Sequence, residues 1–198
     1  MDYEDRYTLG ELAEITPGPS GSLLDKLGEK LDGVPVVTPS DITTSGEVTV
    51  RKLRRLPHDE AVRLDRFGLQ QNDIVLVRQG SLGRSALIGE QLTGALYNSS
   101  CARVRSQDRR VLPEYLHIYL SSPGMQEEMI RRALPGTVQS LNTKILNSLP
   151  VILPPRERQH DLVAVIADID ELVLTHRETA DRLDILKRTL LGDFLNEG

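Results

Sequence analysis

The chain has 198 residues and a mass of 22.1 kDa, and 39% of its residues are hydrophobic and 27% charged. This composition is typical of a folded domain with an appended segment, and no apolar run approaches the roughly 18 residues that a membrane-spanning helix needs. The acidic N-terminus lacks the basic and apolar parts of a secretory signal, so we expect a cytoplasmic protein. The single cysteine, Cys101, excludes an internal disulfide framework, and the four histidines have no zinc-ligand spacing.

The net charge of -5 is distributed unevenly along the chain. Residues 1–48 carry 3 basic and 10 acidic side chains, residues 49–110 carry 12 and 6, residues 111–154 carry 3 and 3, and residues 155–198 carry 6 and 10. A compact basic segment suits contact with DNA phosphates, because that attraction decays over a Debye length of about 8 Å. Arginines on solvated strand faces would give the same count, so charge alone leaves both interpretations open.

The first part of the chain predicts a short helix followed by strands. The sequence from Thr8 to Glu11 has the capping-box pattern, which predicts a helix start, and a second helical turn is expected near residues 23–30. Apolar runs and alternation then predict five strands, at residues 34–38, around Val48 and Val50, and at 73–77, 85–88 and 95–104. The glycine-containing residues 80–83 are predicted to turn the chain between the third and fourth of these strands.

The second part of the domain predicts helices. Pro113 stands at a plausible first helical position, and a second helix is expected after Pro123. A loop, a short helix and a closing strand are predicted over residues 135–154. This order predicts an α+β domain with a mixed, partly antiparallel sheet over residues 1–154.

Residues 155–198 predict one long helix. From Arg156 no glycine or proline occurs until Gly192, and apolar residues recur at alternating intervals of four and three, the heptad pattern of a coiled coil. The repeating positions are Leu162, Ile166, Ile169, Val173, His176, Ala180, Leu183, Lys187, Leu190 and Phe194.

A helix of about 40 residues extends roughly 60 Å, longer than one side of a small domain can cover, so the pattern predicts a partner helix. The alternative is a helix that folds back as core of its own domain. His176 and Lys187 interrupt the apolar pattern, and we interpret them as residues that restrict alignment.

No motif for catalysis is visible in the sequence. The Walker loop, His-Glu-x-x-His and Gly-x-Ser-x-Gly patterns are absent, and residues 153–156 lack the amide and aromatic groups with which adenine methyltransferases hold a flipped base. Asp73 at a strand start and Cys101 within a strand are interpreted as structural residues. The sequence therefore predicts a protein that is not an enzyme and that binds neither a metal nor a cofactor of its own.

Several sequence elements occur together in one order: LGELAEI at 9–15, DIVLVRQG at 73–80, Asn98, PEYL at 113–116, GTVQSLN at 136–142 and LPVILPP at 149–155 before the long helix. Together they resemble a target-recognition domain of the DNA specificity (S) subunit of type I restriction-modification systems. The resemblance runs from about residue 7 to residue 196. The family commonly has Glu-Gln after the double proline, whereas this chain has Arg158-Gln159.

The resemblance implies a non-catalytic reader of double-stranded DNA that positions methyltransferase (M) subunits and, in restriction complexes, a restriction (R) subunit. S-adenosylmethionine is then expected only in the partner methyltransferase, which in this family methylates adenine. Usual S subunits contain two recognition domains and two long antiparallel helices, whereas this chain has one of each, so it resembles a half-subunit. Two chains joined through residues 156–196 as a homodimer would hold two recognition domains at a fixed separation and read an inverted, bipartite site.

Residue chemistry predicts which side chains contact DNA, since arginine pairs with guanine edges and glutamine or asparagine with adenine edges. The base-reading candidates are Arg78, Gln79, Ser81 and Arg84, followed by Asn98, Gln139 and Asn142. The phosphate-binding candidates are Arg51, Lys52, Arg54, Arg55 and Lys144. Asn98 has the alternative of capping a turn, and Asn142 that of capping the helix after it.

The rival interpretation is an interaction protein whose long helix docks on another assembly while its basic segment is merely solvated. A binder of single strands is disfavoured, because only 4% of the residues are aromatic and two of them, Tyr115 and Tyr119, fall on a predicted helix.

Overall fold

The computed structural model describes residues 5–28 and 32–196, and the chain divides into two compact units, residues 1–159 and 160–198. The helices of the described part are α1 (Leu9–Leu12), α2 (His58–Ala61), α3 (Pro113–Ser121), α4 (Pro123–Arg132), α5 (Thr143–Asn147) and α6 (Arg156–Asn196). Its strands are β1 (Asp5–Thr8), β2 (Ala13–Pro17), β3 (Val34–Val37), β4 (Arg55–Leu56), β5 (Ile74–Val77), β6 (Ser85–Leu87), β7 (Leu96–Tyr97), β8 (Cys101–Ser106) and β9 (Pro150–Leu153).

The strands of unit 1 form three sheets. The largest is antiparallel with the order β2-β8-β5-β6, and the second has the order β4-β3-β7, in which β3 and β7 run parallel. The third pairs β1 with β9 antiparallel, so that Asp5 lies opposite Leu153. With its short helices and the long C-terminal helix, this architecture confirms the predicted α+β class with a mixed, partly antiparallel sheet.

The core lies against strand β5. All four of its side chains are buried, which explains why its sequence is continuously apolar rather than alternating. Val75 and Val77 pack in one cluster with residues of the second sheet, among them Tyr97, whose ring meets Phe67 edge to face. The hydrophobic core therefore joins the two larger sheets.

Most predicted elements are present in the structure. The capping box at the start of α1 is formed, since the Glu11 carboxylate accepts hydrogen bonds from the Thr8 amide at 2.7 Å and the Thr8 hydroxyl at 2.8 Å. These bonds lower the pKa of Glu11. Strands β3, β5 and β6 and helices α3 to α6 also lie where they were predicted.

Two predicted strands were wrong. Val48 forms only an isolated bridge to Ile42, and Val50–Lys52 is a short 3-10 turn, because the alternation there is too brief to build a ladder. The strand predicted over residues 95–104 is two strands, β7 and β8, in different sheets. A turn over the polar residues 98–100, closed by the bond from the Cys101 amide to the Asn98 carbonyl at 3.0 Å, carries the chain between the sheets.

The helical turn predicted near residues 23–30 is a 3-10 turn at Gly21–Leu24, earlier than expected. Residues 29–31 lie outside the described residues. Strands β1, β2 and β4 and helix α2 were not predicted, because each is short and the strands depend on partners distant in sequence.

The first turn of α6 belongs to unit 1 and is held by the buried side chain of Gln159, which is fully inaccessible to solvent. Its Oε1 accepts from the Leu112 amide at 2.9 Å, and its Nε2 donates to the carbonyls of Arg110 and Pro154, both at 2.9 Å. One side chain thus satisfies three backbone groups at the end of the β9 segment and before α3.

Unit 2 is the remainder of α6. None of the described side chains from residue 160 to residue 194 is buried, and the apolar heptad positions Leu162, Ile169, Val173, Leu183, Leu190 and Phe194 are 40–79% exposed. No helix in the described part of the chain has the length and apolar character needed to cross a membrane.

Replacing Gln159 with alanine is expected to lower the free energy of unfolding of the chain by about 2–4 kcal/mol, because the change strands three backbone groups without partners. Urea unfolding at fixed protein concentration measures the loss. Gln107→Ala, at an exposed position, is the matched control and is expected to change stability by less than about 0.5 kcal/mol. Equal effects of the two changes would contradict this role of Gln159.

Candidate nucleic-acid interface

The turn between β5 and β6 is built tightly and projects polar side chains. The Val77 amide donates to the Arg84 carbonyl at 2.7 Å, and the Gly83 amide donates to the Val77 carbonyl at 2.9 Å. Gly80 and Gly83 have φ angles of +84° and +79°, which favour glycine. A Cβ on Gly83 would also come within 2.4 Å of Oε1 of Gln126, the residue whose amide group donates to the Gly83 carbonyl.

Three segments meet at this turn through backbone hydrogen bonds. The Arg78 amide donates to the Ser100 carbonyl at 2.9 Å, which joins the turn to residues 98–100. The Leu141 amide donates to the Arg78 carbonyl at 2.8 Å, and the Gly80 amide to the Gln139 carbonyl at 3.3 Å, which joins it to residues 134–142. We call residues 78–84, 98–100 and 134–142 the three-segment edge.

The turn at residues 98–100 is braced from a fourth segment. The Gly18 amide donates to the Cys101 carbonyl at 3.0 Å, and a Cβ on Gly18 would lie 2.1 Å from the Asn98 carbonyl oxygen. Only glycine permits this approach of two backbones. The three-segment edge is therefore held by main-chain contacts that do not depend on its exposed side chains.

All seven base-reading candidates lie in the three-segment edge, but they differ in exposure. Ser81, Gln139 and Asn142 are exposed, and Gln79 is half-buried with its Oε1 accepting from the Ser100 hydroxyl at 3.3 Å. Asn142 caps α5, because its Oδ1 accepts from the Ile145 amide at 2.8 Å. The capping alternative for Asn142 is thus realised, and it leaves the amide nitrogen of the same side chain to donate elsewhere.

Other candidates hold the fold at the same place. Nε of Arg78 donates to the Ser99 carbonyl at 2.8 Å. Both terminal nitrogens of Arg84 donate to carbonyls of the neighbouring loop, those of Ile42 and Pro39, each at 3.1 Å. Asn98 is half-buried in its turn. These bonds give Arg78 and Arg84 structural tasks that their residue type alone does not indicate.

The phosphate-binding candidates also differ in their exposure and in their bonds to the fold. Arg51, Lys52, Arg54 and Lys144 are exposed, and none of them pairs with an acidic side chain among the described residues. Arg55 is half-buried, and its Nη1 donates to the Gly33 carbonyl at 2.9 Å. Arg51, Lys52 and Arg54 are thus left as a group of exposed cations next to one another in sequence.

Some of the basic residues counted between 49 and 110 are buried or half-buried and bonded within the fold. Arg103 is only 4% exposed, and its guanidinium reaches Glu14 at 3.0 Å. Arg105 pairs with the buried Asp73 at 2.7 Å through both Nε and Nη2. The charge of this segment therefore overstates the positive surface that it offers to a ligand.

The two residues interpreted as structural in the sequence are buried. Asp73 also accepts a hydrogen bond from the Gln70 amide at 2.7 Å, which closes the turn before β5. Burial raises the pKa of the Cys101 thiol to about 12, so little reactive thiolate forms at neutral pH. Burial likewise raises the pKa of Tyr97 to about 12, and its hydroxyl donates to the Thr16 carbonyl at 3.0 Å. Neither group is arranged to act as a nucleophile.

The run at 136–142 and Gln139 within it were named from the sequence, but Val138 was not named as a site residue. Residues 134–139 are all exposed, and a bridge from the Leu134 amide to the Ser140 carbonyl at 2.9 Å closes them into a loop. The only sequence signal was the run from Gly136 to Gln139, in which Val138 is an apolar residue among polar neighbours. Within the described ranges no cluster of His, Cys, Asp and Glu side chains is arranged to hold a metal ion.

Comparison with known proteins relates this geometry to a family. Residues 2–183 match the family model of the type I restriction modification DNA specificity domain. The chain is 30% identical over 132 residues to the type I restriction enzyme EcoBI specificity subunit of Escherichia coli, a match that covers 67% of this chain and 27% of that protein. The match therefore spans little more than a quarter of the length of this curated relative.

Solved structures share the fold. A chain from a type I restriction-modification system aligns with a TM-score of 0.66 at 19% identity, covering 93% of this chain and 43% of that one. The HsdS subunit from Thermoanaerobacter tengcongensis aligns with a TM-score of 0.63 at 17% identity, covering 86% and 38%. The resemblance predicted from the ordered motifs is confirmed.

The different roles of the arginines lead to a stability prediction. Arg84→Gln is expected to lower the free energy of unfolding by about 1–3 kcal/mol, because two loop carbonyls lose their donors. Arg54→Gln, at an exposed position without an ionic partner among the described residues, is expected to change it by less than about 0.5 kcal/mol. Urea unfolding of both variants measures this difference. An Arg84 variant as stable as the wild type would contradict the structural role of Arg84.

Proposed function

The chain belongs to the type I restriction-modification DNA specificity family, and we propose that it reads a specific sequence in double-stranded DNA for a methyltransferase complex. Catalysis and S-adenosylmethionine are assigned to the partner methyltransferase. The observation that carries this proposal is the three-segment edge, where exposed hydrogen-bonding side chains project from a rigid backbone. A restriction subunit joins the same assembly in systems that cleave DNA.

Base reading is assigned to exposed and half-buried side chains of the three-segment edge. Gln79 and Gln139 have amide ends that match the donor and acceptor of adenine in the major groove, and Ser81 contacts any base. Asn142 contributes through its amide nitrogen, and Arg78 through the guanidinium nitrogens that do not bond to Ser99. Arg84 and Asn98 are assigned to support of the edge rather than to base contact.

Phosphate binding is assigned to Arg51, Lys52 and Arg54, with Lys144 on α5 as a further contact. Exposed cations that no acidic side chain neutralises gain most from replacing the counterions of DNA. Other basic side chains of unit 1, such as Lys26 and Arg63, already pair with Glu60. This contrast provides a control that has the same charge change at a different place.

Replacing Arg51 and Arg54 together with glutamine is expected to weaken binding to every duplex, whatever its sequence. The slope of log affinity against log salt should flatten by about 0.9 for each lost phosphate contact, or about 1.8 in total. Fluorescence anisotropy at several salt concentrations, with the chain assembled with its methyltransferase, measures the slope.

The matched control is the double change Lys26→Gln and Arg63→Gln, which also removes two positive charges. Its salt slope is expected to stay within about 0.3 of the wild type, since those side chains are paired with Glu60. Equal slopes for the two variants would contradict the assignment of Arg51 and Arg54. An assembly with no affinity for duplexes would instead favour the rival interpretation, a protein that only docks its helix.

We assign unit 2 to pairing with a second copy of the chain. Eight of the ten heptad positions are apolar, and those from Leu162 to Phe194 lie on one side of α6, which has no buried residue among the described side chains from residue 160 to residue 194. We call the row of ten heptad positions from Leu162 to Phe194 the seam. Burial of apolar area contributes about 25 cal/mol per Å², so an exposed seam of this length favours association. Val165, Leu172 and Leu186 widen the apolar side beyond one seam, which suits a methyltransferase helix packing beside the pair.

Charge favours an antiparallel pair. Residues 161–171 carry four acidic side chains and no Lys or Arg, whereas residues 172–190 carry four basic and three acidic ones. A parallel pair would place the two acidic segments together and set Lys187 against its own copy in the seam. An antiparallel pair avoids both contacts. Two recognition domains related by that two-fold symmetry would read the two halves of an inverted site.

Val173→Lys is expected to shift the chain from dimer to monomer at micromolar concentration, because it buries a charge in the middle of the seam. Light scattering and sedimentation measure the mass of the particle. Leu174→Lys is the control, since Leu174 is adjacent in sequence, equally apolar and 58% exposed, but lies off the seam.

A wild-type chain that stays monomeric both alone and with the methyltransferase would overturn the pairing. Dissociation by Leu174→Lys to the same extent as by Val173→Lys would show that the seam is assigned to the wrong side of the helix.

A further inference from the structure

Exposed apolar side chains are concentrated along the chain in a stretch that runs from α4 into the three-segment edge. Among the described residues 5–28 and 32–159, six large apolar side chains are strongly exposed, and three of them fall within nine residues: Ile130 (54%), Leu134 (42%) and Val138 (59%). Single exposed apolar residues are ordinary on a protein surface. Such a concentration beside a polar edge indicates an apolar contact with a ligand.

Val138 is the most exposed of these three side chains. It lies in the loop closed by the bond from the Leu134 amide to the Ser140 carbonyl, and residues 134–139 are all exposed. The far end of the loop is fixed to the β5–β6 turn by the bonds between Gly80 and Gln139 and between Leu141 and Arg78. The position of Val138 relative to Gln79 and Ser81 is therefore set by the backbone.

The surface around Val138 suits a nucleic-acid base better than another protein. Specific protein interfaces bury about 800 Å² on each partner, far more than three aliphatic side chains provide. Its neighbours in sequence are Thr137 and Gln139, which are both exposed and able to form hydrogen bonds. The one apolar group that base pairs present in the major groove is the 5-methyl group of thymine.

We propose that Val138 contacts the 5-methyl group of a thymine in the target and so determines specificity at one position. This inference rests on the proposed reading of double-stranded DNA and adds a residue and a chemical group to it. A branched side chain on a fixed loop loses little conformational entropy on contact.

The test compares thymine with uracil, which lacks only the methyl group. Target sequences are first selected from a random duplex pool by the wild-type chain assembled with its methyltransferase, and each thymine of the selected site is then replaced in turn by deoxyuridine. At one position the wild type is expected to bind thymine about fourfold more tightly, the factor that corresponds to burial of one methyl group. Val138→Ala is expected to bind the two duplexes equally.

Two variants control the test. Val138→Ile keeps the apolar contact and is expected to retain the preference for thymine. Val62→Ala makes the same truncation at a residue that is 75% exposed on another element, and it is expected to leave the preference unchanged. The melting temperature of each variant confirms that it is folded.

The outcomes separate the contact from the proposed function. Sequence-specific binding without any dependence on thymine methyl groups, or a dependence that Val138→Ala retains, would overturn the contact and leave DNA reading intact. Loss of methyltransferase assembly in Val138→Ala with an unchanged preference would also overturn it, in favour of a protein contact. Failure of the wild type to select any sequence would overturn both.

Discussion

The exposed apolar side of α6 is the constraint on which the proposed assembly depends. A single helix in water gains most of its stability from packing, not from intrinsic propensity, and α6 exposes every described apolar heptad residue of unit 2 to some degree. The helix that carries this surface is therefore stabilised by whatever covers it. In the proposed pair, folding of unit 2 and association form one equilibrium, whose position depends on protein concentration. Unit 1 has its own core and does not share this dependence.

Within unit 1, some arginines stabilise the fold and others are exposed to solvent, depending on their surroundings. Arg103 is buried and Arg105 is half-buried, and both bond to carboxylates and carbonyls, whereas Arg51 and Arg54 are exposed and have no acidic partner among the described residues. The terminal nitrogens of the buried Arg103 guanidinium donate to carbonyls and to Glu14 in place of water, so this side chain is committed to the fold. An exposed one keeps its donors for a ligand. Tertiary contacts determine which arginines are bonded within the fold and which are exposed. A count of charges along the chain therefore cannot distinguish the two groups.

The parts of the fold that the sequence predicts well are those determined by local periodicity. The all-apolar strand β5, the capping box before α1 and the heptads of α6 each depend on residues close together in the chain. The parts that it missed depend on distant partners. Strand β1 exists because Asp5–Thr8 meets Pro150–Leu153, and the two-residue strands β4 and β7 exist because β3 lies between them. The break at residues 98–100 depends on Gly18, a residue 80 positions earlier, and no local pattern carries that information.

The same reasoning explains how the candidate site can be both rigid and changeable. The backbone of the three-segment edge is held by amide–carbonyl bonds and by close approaches to the backbone at Gly18 and Gly83. None of these contacts involves the side chains of residues 81, 138 and 139. Substitutions at exposed positions of this kind usually change stability by less than about 0.5 kcal/mol. A base contact, by contrast, changes discrimination by about 1–3 kcal/mol. At such positions a substitution would change the discrimination between bases several times more than it changes stability. In the proposed function, the DNA preference can therefore change while the fold is preserved.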